Sequence, residues 1–139
     1  MENLKKWSSR IIWAGIVANM LFVIPLIFAT EFLFELFKLQ KDRVIWAQFS
    51  GVLLFILSVY YIPAAINIDR YRANAWFHCI PSRACGVLFF SIYVFFLGAE
   101  PGFIAGAILD AVFGLSLLIV LLKINKLEKE NKTSIKLFS

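Results

Sequence analysis

The sequence predicts an all-α fold, an integral membrane four-helix bundle, on three observations. Hydrophobic residues make up 61% of the 139 and the mean hydropathy is +0.82, whereas a soluble domain is about half apolar. The apolar residues fall into four runs near the roughly 17–25 residues that cross a bilayer core. The charges sit in short blocks between those runs. The length suffices for one small transmembrane domain, residues 1–139.

Residues 1–10 form a basic head with Lys5, Lys6, Trp7 and Arg10, and a first span follows at about 11–30. This run is longer than the 7–15 apolar residues of a secretory signal and has no small-residue cleavage site after it, so it reads as a retained span. Pro25 frees the carbonyl of Leu21 and predicts a kink. Asn19, near mid-depth, needs a hydrogen-bond partner. Residues 31–43 are too short and too charged to cross. Phe32, Leu33, Leu36 and Phe37 share one helical face, and Glu31, Glu35, Lys38 and Asp42 another. That pattern predicts a short interfacial amphipathic helix with its aromatic side down; the competing reading is a solvated loop.

The second span covers about 44–67, with Trp46 and the pair Tyr60–Tyr61 placed for interfacial belts and Pro63 bending its last turn. Residues 69–83 read as a polar hinge between the two halves. Pro81 and Ser82 resemble a helix start, which opens a third span at about 84–99. Glu100-Pro101-Gly102 is a tight turn. The fourth span covers about 103–122, and residues 123–139 form a polar, basic cytoplasmic tail.

Of the fourteen Lys and Arg, eleven fall in the head, the hinge and the tail, and three fall in residues 31–43. Positively charged loops stay cytoplasmic, so both termini are expected on the cytoplasmic side of a cell membrane. This puts Cys79 and Cys85 at the reducing face, where a structural disulfide is not expected. The net charge of +5 flanks apolar spans, so it reads as anchoring to anionic headgroups. No basic stripe lies on a polar face, which argues against nucleic acid.

Asp110 is the main intramembrane polar candidate, because a carboxylate at depth costs several kcal/mol, roughly 2.5–3.5 on insertion scales, unless it meets a partner or a cavity. Gly102, Gly106, Asp110 and Gly114 recur every four residues on a face of small residues that lets helices approach, so Asp110 should point into the bundle. It is a structural hydrogen-bonding group, part of a proton or cation pathway, or a ligand anchor. Residues of similar expected depth are Asn19, Ser50, Ser91 and Tyr93. With Arg83 at the inner end of span three, about 24 Å from the outer side, a direct Asp110–Arg83 pair is not expected. Arg70, Arg72 and Arg83, interleaved with Tyr71, Trp76 and Phe77, form a candidate lipid-headgroup cluster; alternatively they set topology and snorkel to the interface.

His78, Cys79 and Cys85 are too few for a structural zinc site, so no metal or other cofactor is expected. Motifs for nucleotide binding, zinc hydrolysis or serine catalysis are missing, which leans against an enzyme. Trp46, Gly51, Tyr60-Tyr61, Arg83-x-x-Gly86 and Asp110-x-x-Phe113-Gly114, set on four short spans, resemble the small four-helix bacterial membrane proteins grouped around DoxX. Some of those proteins are linked to quinone-dependent sulfur oxidation, so the resemblance implies a respiratory accessory role. The expected partners are membrane lipids with other membrane-protein subunits or further copies of the chain. An oligomeric transporter or channel using Asp110 is the alternative.

Overall fold

The computed structural model describes the backbone of residues 1–39 and 44–137 and side chains as far as Asn131. Among the described residues there are five helices: α1 Glu2–Phe28, α2 Thr30–Phe37, α3 Val44–Ile66, α4 Arg72–Phe96 and α5 Ile104–Leu137. A short 3₁₀ turn, Pro101–Phe103, leads into α5. Four of the helices are long and apolar enough to cross a membrane, and the chain is built as a multi-pass membrane protein. Helices that long satisfy their backbone groups internally, as hydrocarbon requires.

α1 buries a single stripe of Ser8, Ile12, Gly15, Ile16, Asn19 and Val23, the i, i+3/i+4 spacing of one helical face. Its main partner is α3. Gly51 of α3 lets the two backbones close up, since a Cβ there would meet Ile27 Cγ1 at 2.9 Å. One turn past Pro25, α1 ends: the Ala29 N–H reaches the Pro25 carbonyl at 2.9 Å. The Thr30 hydroxyl donates to Leu26 at 2.7 Å.

Two ends of the bundle can be told apart. At one, Lys5 of α1 pairs with Asp69 (2.7 Å), and Arg72 of α4 pairs with Asp69 (3.0 Å) and with Glu128 of α5. At the other, the Phe37 carbonyl abuts Gly102 and the Phe90 and Phe103 rings stack at 6.0 Å. The start of α1 and the later turns of α5 therefore share an end. The apolar core lies in that half, around Ile12, Ile16, Tyr61, Ala64, Leu117 and Leu121.

Several boundaries differ from the sequence expectation. α4 begins at Arg72, so residues 72–83 belong to a helix instead of a hinge, and α5 runs well past residue 122. α4 is α-helical over Arg72–Phe77 and Cys85–Phe96 but π-helical over His78–Ala84. Pro81 lies in that wide stretch. It has no N–H to return to the Phe77 carbonyl, and its ring would crowd that carbonyl in an α-helix; an i→i+5 ladder relieves both problems. Pro81 and Ser82 thus sit inside a helix that never breaks. In α2 the buried residues are Thr30, Leu33 and Phe34, while Phe32 and Leu36 are exposed. Asp42 lies outside the described residues.

Candidate functional site

The π-helical stretch builds the site. On an α-helix residues five apart point about 140° away from each other. With i→i+5 bonding they come round to the same face. His78 and Arg83 are five apart, and both are buried, at 0% and 5% exposure. Arg83 is thirteen residues from Phe96, and Asp110 on the antiparallel α5 is nine from Pro101. At 1.5 Å per residue these depths are about 20 and 14 Å, a gap that an arginine side chain spans.

Arg83 Nη1 donates to Asp110 Oδ1 at 2.5 Å and Nη2 to Asn19 Oδ1 at 3.0 Å. The Asn19 amide donates to the Ser58 hydroxyl at 2.9 Å, and Ser58 donates to the Leu54 carbonyl at 2.8 Å. One chain of hydrogen bonds thus runs from α5 through α4 and α1 into α3. Each donor faces an acceptor, and Asn19 uses its carbonyl and amide oppositely, which sets its orientation. The expectation that Asp110 and Arg83 do not meet is overturned. Its premise placed Arg83 at a helix start, and the residue is in the middle of a helix.

Small residues make the pairing possible. A Cβ on Gly86 would collide with Asp110 Oδ2 and come within 3.0 Å of its Cγ; one on Gly114 would lie 3.0 Å from the Arg83 Cβ. The guanidinium also lies over the Phe113 ring, 5.6 Å from its centroid. Arg83, Gly86, Asp110, Phe113 and Gly114, which carried the family resemblance, therefore converge on one spot.

Beside this chain lies a second group. The Tyr61 and Ser82 hydroxyls are hydrogen-bonded at 2.5 Å, and the Tyr61 ring sits 4.1 Å from the His78 imidazole. Neither His78 nitrogen nor the Arg83 Nε has a hydrogen-bond partner. Gly15 leaves the space that His78 Nε2 and Arg83 Nη2 face, both 3.4 Å from where its Cβ would be. Tyr61, expected at an interface, is 1% exposed, whereas Tyr60 is 46% exposed.

Other sequence candidates fall elsewhere. Ser50 turns its hydroxyl onto the Trp46 carbonyl at 2.8 Å. Ser91 is half-buried. Tyr93 is 44% exposed and packs on Phe89. The three arginines have different surroundings: Arg70 lies over Tyr71, Arg72 is held by Asp69 and Glu128, and Arg83 is in the core. The sequence signal that could have found Ser58 was its place on the Gly51–Ser58–Tyr61–Ala65 face of α3, all of it buried. His78 carried no signal, because its orientation depends on the π-helical turn.

Among the described residues no group of three or more His, Cys, Asp or Glu is placed to hold a metal ion. Comparison with family models, curated proteins and solved structures gives no match.

Proposed function

We propose that this protein is a non-catalytic accessory or scaffold subunit of a larger complex in a bacterial inner membrane. One observation carries the proposal: Arg83 and Asp110 neutralise each other inside a chain of hydrogen bonds that reaches all four membrane helices. A transport pathway needs polar groups that exchange partners along a route. Here the deepest charged groups are committed to holding the helices together. The half of α4 away from the termini, Cys85–Phe96, has no buried residue and exposes Leu88, Phe89, Ile92, Phe95 and Phe96, an apolar surface for lipid or for a neighbouring subunit. The likeness to the DoxX-like proteins makes a respiratory complex the first one to examine.

The test is extraction of native membranes in mild detergent with the chain tagged at its C-terminus, then native electrophoresis and mass spectrometry. Stoichiometric co-migration with larger subunits is expected. Migration alone or as a homo-oligomer overturns the proposal.

A second reading, a small oligomeric transporter or channel, is favoured by the unpartnered His78 nitrogens beside Arg83. On that reading Asp110→Asn abolishes proton or cation flux in liposomes while the protein stays folded. Equal flux in wild type and variant removes it.

A further inference from the structure

At the terminal end of the bundle a groove of about 390 Å³ opens between the start of α1 and the end of α3. Lys6 and Arg10 stand one turn apart on α1, the i, i+4 spacing of one helical face, and both line the groove with Ser9, Asn67 and Asp69. Its apolar part is Ala65, Ile66 and Ile68. Ala65 and Ile68 belong to the core, while Ile66 is exposed. The acceptors of this groove are taken and its strongest donors are not. Asp69 is the one carboxylate in the lining, and it already receives Lys5 at 2.7 Å and Arg72 at 3.0 Å. The Ala65 carbonyl accepts the Ser9 hydroxyl, and the Asn67 side-chain oxygen accepts the Arg70 N–H at 3.1 Å. The Lys6 and Arg10 side chains have no ion pair or hydrogen bond among the described residues. The Arg10 guanidinium lies over the Trp7 ring, 5.5 Å from its centroid. That contact uses the face of the guanidinium and leaves its N–H fork open at the edge.

We propose that this groove binds the phosphate of an anionic phospholipid of the phosphatidylglycerol type. Lys6 supplies a compact point charge, and Arg10 a planar fork that matches two phosphate oxygens. The spent acceptors select against a zwitterionic headgroup, whose ammonium would meet two cations and no spare carboxylate. Position selects a lipid over a free phosphate ester. Arg10 is the last charge before the uncharged stretch 11–30, so it stands where α1 enters hydrocarbon. Trp7 and Trp13, both exposed, flank it, as aromatic residues do at headgroup level. Ile66 offers apolar surface to the start of an acyl chain. The site does not depend on whether the chain is a subunit of a complex.

The test is native mass spectrometry of the full chain in a non-ionic detergent, titrated with palmitoyl-oleoyl phosphatidylglycerol or the matching phosphatidylethanolamine. Wild type is expected to hold one phosphatidylglycerol at least about tenfold more tightly than phosphatidylethanolamine, in line with the pull of two basic residues at a membrane surface. Lys6→Gln/Arg10→Gln is expected to lose that preference while keeping wild-type helicity and a monodisperse peak. Asn67→Asp keeps the acceptor for Arg70 but adds a carboxylate to the groove, and is expected to weaken the adduct severalfold. Lys123→Gln/Lys126→Gln removes the same charge from exposed positions on α5 at the same end, and is expected to leave the preference intact. Glycerol 3-phosphate, the phosphate ester without acyl chains, is expected not to displace the lipid. A wild type with no preference for phosphatidylglycerol overturns the proposal. So does a preference that survives in the folded Lys6/Arg10 variant, or one lost equally in the Lys123/Lys126 variant, which would make it a matter of net charge. Displacement by glycerol 3-phosphate overturns the lipid assignment in favour of a soluble phosphate ester.

Discussion

Arg83 carries a full charge on a side chain 5% exposed, in the middle of a membrane helix, and Asp110 is what makes that tolerable. Removing one partner of a buried pair costs about 3–5 kcal/mol, because the other charge is left uncompensated. Arg83→Ala and Asp110→Ala are each expected to lose about that much, measured by unfolding in mixed micelles of rising SDS fraction. The double variant Arg83→Leu/Asp110→Leu should regain most of the loss, since apolar replacement of a whole buried pair is often neutral or stabilising. If the double variant loses the sum of the two singles, the pair is no unit. Gly86 gives a separate check. An added methyl displaces the Asp110 carboxylate, so Gly86→Ala should destabilise the wild type strongly and the Asp110→Ala variant much less. A double-mutant cycle reads that coupling directly. The sequence identified Asp110 and its inward face through the spacing of Gly106, Asp110 and Gly114. It missed the partner because a charge at the edge of an apolar run looks like a flank, and Arg83 adjoins such a run.

The four apolar runs were legible because spanning length and composition survive any detail of packing. The start of α4 was not. Polar residues at 69–74 and Pro81 imitate a loop, and only tertiary packing shows that the helix continues through a π-helical stretch. At the terminal end, the start of α1, the α3–α4 connection and α5 are tied by ion pairs in addition to the apolar core. Asp69 is central to them. The hydrogen bond from Lys5 does most to hold its carboxyl below the ordinary value of 3.8; burial opposes it, and the charges of Lys5 and Arg72 and the Arg72 hydrogen bond add to the lowering. A depressed folded-state value means that its stabilising contribution is complete above the unfolded value and is lost as the pH falls through the folded one. Hydrogen exchange should therefore show the backbone amides near Lys5 and Arg72 protected at neutral pH. That protection should fall selectively below about pH 3.8 in wild type, and it should be low already at neutral pH in Asp69→Asn. Because Asp69 is half-exposed, the same protection should weaken in high salt, as screened surface pairs do. Protection indifferent to both pH and salt would show that apolar contacts alone hold this end.

At the scale of the whole molecule, placing Arg83 in the core instead of on a flank removes one charge from the loop bias without reversing it. Ten basic residues still lie in the head, in the α3–α4 connection with Arg72, and in the sequence from Lys123 onward. Three, Lys38, Lys41 and Arg43, lie in or near the α2–α3 connection. The bias that sets orientation is counted over loops and helix ends, so a charge in mid-helix contributes nothing to it. The termini are expected in the cytoplasm: a fluorescent protein fused to the C-terminus should fluoresce, and alkaline phosphatase fused after Gly98 should be active. The informative case is Arg83→Ala in the same fusions. If Arg83 were a flanking determinant, its loss would weaken the inside signal and mix the reporter pattern. As a core residue paired with Asp110, it should leave both reporters as in wild type while the bundle loses stability. A mixed reporter pattern in Arg83→Ala would mean that the residue inserts as a flank, and that its place in the core is reached only after the helices have been oriented.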